Sequence, residues 1–269
     1  MVLHDKLNIL RDNIRRMQSV AVACSGGVDS AFLLKIAHDI LPEHVVAVTA
    51  RSAIYPAREL KQAAELVQSM GVESVVLPFE ALALEGFADN PVNRCYLCKK
   101  ALFSKISQWA RQHDIRHVAD GSNVDDLGDY RPGTQASKEL GIVSPLQEAG
   151  LNKDEIRVLS KELGLPTWDK PASACLASRF PYGQRITRER LEQVERGEQS
   201  LFDLGFRQVR VRHHGDTARL EVAADERGKF FDEALMDRIY EKFRQIGFLY
   251  VSLDLRGYRT GSLNEAIDL

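Results

Sequence analysis

Ser25-Gly26-Gly27-Val28-Asp29-Ser30 lies between a short apolar run, Ser19 to Cys24, and a stretch, Ala31 to Leu41, whose apolar residues recur at helical spacing. The run suits a buried parallel strand and the spacing predicts a helix, so the six residues form the turn of a β-α unit. Two adjacent glycines let the backbone turn tightly and present N–H groups to an anion. The hydroxyls of Ser25 and Ser30 add donors, and the helix beginning beside them adds its positive end. The segment therefore reads as a phosphate cradle. It lacks the Gly-Lys-Ser/Thr ending of the P-loop, which leaves a kinase or GTPase reading poorly supported. A plain glycine-rich turn would account for the glycines but not for two hydroxyls and an acid.

The same alternation continues outward. Residues 3 to 17 carry Leu3, Leu7, Leu10, Ile14 and Met17 at helical spacing, and Val45 to Thr49 is a second buried strand. Ala57 to Met70 predicts a helix stopped by Gly71. Val72 to Leu77, a helix around Ala101 to His113, a strand at Ile115 to Ala119 and a helix near Lys153 to Leu163 complete the series. Such order predicts a parallel sheet covered on both faces. Pro166, Pro171 and Pro181 then break regular structure. Beyond them come a helix (Arg188 to Leu204), two strand-like runs meeting at His214-Gly215-Asp216, a further helix and the strand Phe248 to Leu253, the order of a small α+β domain. The expected division is 1–165 for the nucleotide-binding domain, 166–184 for a connection, and 185–269 for an α+β domain serving substrate binding or oligomerisation.

The chain has 269 residues, 44% hydrophobic and 28% charged, enough to bury a full core without disulfide staples. A net charge of -2 offers no positive field for nucleic acid, and no apolar run is long enough for a membrane span, so the chain reads as cytoplasmic. The four cysteines, Cys24, Cys95, Cys98 and Cys175, are too few for a secreted disulfide framework. Cys24, inside a buried strand, reads as a small hydrophobe. Cys95 and Cys98 form a Cys-x-x-Cys at the start of a helix. A metal or iron-sulfur site, a redox disulfide, a zinc site completed by His113 or His117, and unreactive thiols all remain readings of that spacing. Arg210 and Arg212 alternate along a strand and so share a face, where two guanidinium forks could grip a phosphate or carboxylate. The acids Asp125, Asp126 and Asp129 read either as a solvated turn or as metal ligands. Trp109 and Trp168 read as packing residues.

The Ser25–Ser30 segment resembles the PP-loop of the ATP pyrophosphatase superfamily, whose fold is the parallel, adenine nucleotide alpha hydrolase-like α/β sheet. That resemblance implies ATP bound at Ser25, Gly26, Gly27 and Ser30, with Asp29 helping to hold Mg2+. Ala50, Arg51 and Ser52 would lie near adenine and ribose, and Asp120-Gly121-Ser122-Asn123 would be a second nucleotide segment, with Gly121 among the binding residues. Four further segments, Asp129 to Gly133, Ser178-Arg179-Phe180-Pro181-Tyr182-Gly183, Val209 to Arg212, and Leu253 to Arg259, resemble the LarE family of ATP-dependent sulfur transferases across nearly the full chain. The family resemblance implies adenylation of a carboxylate of a pyridinium dicarboxylate mononucleotide and its conversion to a thiocarboxylate, on the way to the nickel-pincer nucleotide cofactor. It implies Cys175, Ser178, Arg179, Glu198, Arg210 and Arg212 at the substrate, with Lys99 beside Cys98 fitting the same pocket, and a homo-oligomer. Family members that sacrifice their own sulfur carry cysteine immediately before the equivalent of Cys175, where this chain has Ala174. The resemblance is instead to the three-cysteine subgroup, with Cys95, Cys98 and Cys175 holding a [4Fe-4S] cluster that passes on an external sulfide. Two rival readings are a tRNA thiolase of the same superfamily, for which no basic, aromatic-rich RNA surface is evident, and a non-catalytic nucleotide or iron-sulfur carrier.

Overall fold

Val20 to Val22 have almost no exposure on either side, as a strand in a parallel sheet with both faces covered requires. The computed structural model describes residues 2–127, 132–259 and 262. In chain order the elements are α1 (Leu3–Met17), β1 (Val20–Ala23), α2 (Val28–Ile40), β2 (Val45–Arg51), α3 (Ala57–Ser69), β3 (Glu73–Pro78), α4 (Arg94–Gln112) and β4 (His117–Ala119). After them come α5 (Pro132–Glu139), α6 (Pro145–Glu148), α7 (Lys153–Glu162), α8 (Arg188–Asp203), β5 (Val209–His214), β6 (Thr217–Val222), α9 (Glu233–Ile246) and β7 (Tyr250–Leu253).

The chain divides into two units. The first comprises Met1–Leu84 and Asn93–Ser173, the second Glu85–Val92 and Ala174–Leu269. In the first, a four-stranded sheet has the order β3-β2-β1-β4, with every pairing parallel. Helix α2 is buried through Val28, Phe32, Leu33, Leu34 and Ile36, packed with Leu10 and Ile14 of α1 and Ile156 and Leu159 of α7. On the other face Phe103, Ile106 and Ala110 of α4 cover Ala21, Val46, Val48 and Val118. The apolar positions read as alternating helices and strands are the ones that close these two layers. Because β2 and β3 extend to one side of β1 and β4 lies on the other, the strand order reverses between β1 and β4, and open α/β sheets bind ligands at the carboxyl ends of strands at such a point.

The second unit is a three-stranded sheet in the order β5-β6-β7. Strands β5 and β6 form the antiparallel hairpin expected at His214-Gly215-Asp216, with Gly215 at φ 63°, and β7 pairs parallel to β6. Gly197 on α8 lets the Phe243 ring of α9 approach: an added Cβ there would sit 3.0 Å from its Cε1. Residues 85–92, counted with the first domain on sequence, pack with this unit. Asn90, fully buried, donates through Nδ2 to the carbonyls of Phe180 (3.2 Å) and Pro181 (2.7 Å), while its own carbonyl accepts from Gly183 N at 2.9 Å. Ile186 N donates to Ala88 O at 2.8 Å. The segment expected as a connection, 166–184, is thus shared, divided between Ser173 and Ala174.

Candidate functional site

At the carboxyl end of β1 the chain leaves Ser25, turns through Gly26 at φ 71°, and enters α2 from Gly27. Only glycine suits position 26: its φ lies in the left-handed region, and a Cβ would fall 2.7 Å from Cβ of Ala63 on α3. Ser25 N donates to Ser30 Oγ (3.3 Å), the two hydroxyls lie 3.2 Å apart, and Ser30 Oγ donates to Gly27 O (3.3 Å). The hydroxyls therefore bind the loop to the first turn of α2, where the helix dipole and early N–H groups favour an anion. Gly121, just beyond β4, brings its backbone onto the same turn: a Cβ there would lie 2.9 Å from Ser30 N. The structure thus brings Ser25, Gly26, Gly27, Asp29, Ser30 and Gly121 together.

Asp29, in the first turn of α2, accepts from Lys153 Nζ of α7 through Oδ2, while its Oδ1 is buried with no hydrogen-bond partner. An orphaned carboxylate oxygen beside an anion cradle fits a cation, and its desolvation is otherwise uncompensated. At the carboxyl end of β2, Ala50 is half-buried, and Ser52 just past the strand is buried with an Oγ that also lacks a partner. Asp125 and Asp126 have structural work. Asp125 Oδ2 accepts from Lys153 N (2.8 Å) at the start of α7, and Asp126 Oδ2 accepts from Asn123 N (3.0 Å). Asp129, with Tyr130 and Arg131 of the same motif, lies outside the described residues. Gly133 of that motif packs on Lys99, whose Cδ would lie 2.5 Å from an added Cβ. Asp120 is satisfied by Ser122 N, Ser122 Oγ, Ser137 Oγ and Ser144 Oγ at 2.8 to 3.2 Å, and so stabilises the crevice wall.

Sequence reading missed two lysines here. Lys153 follows the Asn152 cap of α7, and Lys170 donates to Gly26 O at 3.0 Å while its Nζ lies 2.8 Å from Glu59 Oε2. Their sequence separations from the loop, 124 and 144 residues, leave no local signal.

In the second unit the buried charges are paired. Arg179 donates through Nε and Nη2 to the two oxygens of Glu198 (2.8 and 2.9 Å), and through Nη1 to the carbonyls of Ala174 (2.7 Å) and Cys175 (2.9 Å). Ser178 Oγ donates to the Cys175 carbonyl as well, at 2.8 Å. The Cys175 backbone is therefore fixed by two of the residues singled out beside it. Burial opposes the Arg179 charge, but the Glu198 carboxylate outweighs it and holds the guanidinium above its usual range. Burial pushes Glu198 up, and Arg179, Arg210 and the Val211 N–H together bring it below the ordinary carboxylate range.

Arg210 and Arg212 alternate along β5 as expected, yet their surroundings differ. Arg212 forms a two-point pair with Glu221 of β6 (2.9 and 2.7 Å) and donates to Ser178 O (2.7 Å). The Arg210 guanidinium lies over the Tyr258 ring at 4.9 Å. Burial first, then the neighbouring Arg179 charge, lower its proton affinity. Arg179, Arg210 and Arg212 thus bring three guanidinium groups together in the interior of this unit.

Cys95 is exposed on the first turn of α4 and Cys98 half-buried at the start of the second, three residues apart and so on one side of the helix; Cys175 belongs to the second unit. Burial raises the Cys24 thiol, in keeping with its packing role. Among the described residues no group of three His, Cys, Asp or Glu side chains is gathered as a metal site. His113 is excluded as a partner of the Cys95–Cys98 pair: it follows the opposite end of α4, about 22 Å along the helix axis, and its Nδ1 faces Trp109 O at 2.8 Å.

A parallel sheet carrying this glycine-hydroxyl loop at its switch point defines a PP-loop protein of the ATP-using α/β class, and the NAD synthase family model matches residues 2–91. The chain is 42% identical over 266 residues to an uncharacterized protein of Synechocystis, covering 99% of each. It is 38% identical over 255 residues to the pyridinium-3,5-bisthiocarboxylic acid mononucleotide synthase of Lactiplantibacillus plantarum, covering 94% of this chain and 92% of that one. It belongs to the LarE family. A tRNA-specific 2-thiouridylase of Rickettsia felis is 25% identical over 194 residues, 59% of this chain and 53% of that protein. No helix among the described residues is long and apolar enough to cross a membrane.

Proposed function

We propose that the chain is an ATP-dependent sulfur transferase that activates a carboxylate of pyridinium-3,5-biscarboxylic acid mononucleotide as its adenylate and converts it to a thiocarboxylate, toward the nickel-pincer nucleotide. The observation that carries this reading is the loop at β1: a donor-lined anion cradle beside an acid, Asp29, with one buried oxygen open to a cation. ATP phosphates meet Ser25, Gly26, Gly27, Ser30 and the start of α2, with Ala50 and Ser52 toward the nucleoside and Gly121 keeping the crevice floor low. Asp29 would hold magnesium, which when bound neutralises charge on the pyrophosphate.

The substrate carboxylate oxygen attacks the α-phosphorus, and the bond to the bridging oxygen breaks with its electron pair leaving on pyrophosphate. The loop donors stabilise that charge. Sulfide then adds to the acyl carbon and AMP departs. Arg210 and Arg212 bind the anionic mononucleotide, with Glu221 holding Arg212 and the Arg179–Glu198 pair ordering Ser178 and the β5 backbone at Val211. Cys95, Cys98 and Cys175 supply the soft thiolates that would hold a [4Fe-4S] cluster and an external sulfide. Cys95 and Cys98 belong to the first unit and Cys175 to the second, and the adenylation chemistry is independent of them. The homo-oligomer and the cytoplasmic setting belong to the same reading.

The test incubates ATP, the dicarboxylate mononucleotide and sulfide with the anaerobically purified chain. Pyrophosphate release and a thiocarboxylate product are expected, and Asp29→Ala should lower pyrophosphate release about a hundredfold with the fold intact. Release at the wild-type rate in that variant, or none with the wild-type chain, rejects the reading.

A further inference from the structure

Lys170 meets the glycine loop at its backbone. Its ammonium, 15% exposed, donates to Gly26 O and pairs with Glu59. Glu59 lies on α3 one turn before Ala63, the residue that closes against Gly26. The Lys170 backbone is itself fixed: Arg157 Nη2 of α7 donates to Lys170 O at 3.1 Å, and Lys170 N donates to Thr167 O at 3.0 Å. Arg157 is one turn along α7 from Lys153, which holds Asp29. Helix α7 therefore meets the loop motif directly through Lys153 and steadies Lys170 through Arg157.

The peptide joining Gly26 to Gly27 has no Cβ on either side, so its plane can turn over at little steric cost. In a trans peptide the carbonyl and N–H point in opposite directions. Fixing the Gly26 carbonyl therefore fixes the direction of the Gly27 N–H, the donor at the N-terminus of α2. A loop built from two glycines gains its tight turn at the expense of a defined peptide orientation, and a cation on that carbonyl restores it.

We infer that Lys170 is a positioning residue for the adenylation step, setting the Gly26–Gly27 peptide so that its N–H faces the departing pyrophosphate. The inference rests on the reading of this loop as the ATP phosphate site. Lys170 also stands five residues before Cys175 in the chain, so one residue orders the loop that activates the carboxylate and starts the segment carrying a sulfur-handling thiol.

The experiment measures steady-state pyrophosphate release against ATP concentration for the full chain, Lys170→Met, Lys170→Arg and Glu59→Gln. Lys170→Met should lower kcat tenfold to about a hundredfold, the scale of losing one donor to developing charge, with KM for ATP within about threefold. Lys170→Arg, which keeps a cationic donor, should recover kcat to within about threefold. A merely structural role would not give that split and rescue. Unchanged kcat in Lys170→Met, or equal losses in the Met and Arg variants, overturns the assignment. Should Lys170→Met fail to fold, Glu59→Gln carries the test: it should lower kcat severalfold, and an unchanged value overturns the assignment. A wild-type chain that releases no pyrophosphate overturns the parent reading, and is seen before any variant is compared.

Discussion

Replacing Glu198 by alanine removes three hydrogen-bond acceptances from the interior of the second unit, two from Arg179 and one from Val211 N at 3.1 Å. The Arg179 guanidinium, 1% exposed, then loses its counterion in a place water reaches poorly. Breaking a buried pair from one side costs about 3 to 5 kcal/mol, and a stranded N–H about 1 kcal/mol or more. Part is regained because Arg179 keeps the Ala174 and Cys175 carbonyls, so a net loss of about 4 kcal/mol is expected. Urea unfolding followed by far-ultraviolet circular dichroism measures it. Trp109 and Trp168 both lie in the first unit, so tryptophan fluorescence supplies an internal reference. Arg179→Met/Glu198→Ala, which removes both charges, should be more stable than Glu198→Ala alone. A loss below about 1 kcal/mol, or a double variant no better than the single, would refute the claim that the two side chains form a desolvated pair.

Gly26→Ala combines a left-handed φ, roughly 1 to 2 kcal/mol for a residue with a Cβ, with the collision at Ala63, and should abolish ATP binding by calorimetry. Gly164→Ala, at φ 70° with open space around it, meets only the first cost, so equal destabilisation of the two in thermal unfolding would contradict the loop geometry. His213 is buried between the Phe180 and Phe248 rings, and burial, then the Arg190 charge, lower its pKa to about 4. The fold favours neutral imidazole, so this stability is full above pH 6.5 and is lost as pH falls toward 4, at up to about 1.4 kcal/mol per pH unit. Urea midpoints from pH 7 to 4.5 should show that slope, shallower in His213→Gln; an identical slope in the variant would contradict it.

The sheet and its loop were legible because their signals are local. Val20 to Val22 announce a strand covered on both sides, and two glycines between two hydroxyls announce an anion site, all within a dozen residues. Side-chain partnership is not local. Strand alternation placed Arg210 and Arg212 on one face but carries nothing about Glu221 nine residues beyond Arg212, or about Arg179 reaching back to its own Cys175 carbonyl. Lys153 looked like any lysine at a helix start, and Asp125 resolved as a cap for α7 because an acid near a helix N-terminus has a use without metal. Asn90 carries no sequence signal for its role, which is to serve backbone carbonyls some ninety residues away.

Residues 85–92 leave the ribosome before Phe180, Pro181, Gly183 and Ile186, which they bond in the second unit, exist. Their neighbours begin at Ala174, roughly eighty residues later, which at about 5 to 20 residues per second is a wait of roughly 4 to 16 s. During that interval the strands β1 to β4 and their helices can close around α2, since the parts of that core are all upstream of Ser173. Asn90 must stand by, its amide hydrated, until Phe180 and Pro181 arrive. Folding order therefore departs from sequence order for this piece of chain: the first unit closes around its own core, and residues 85–92, synthesised within it, find their place only when the later part of the second unit arrives.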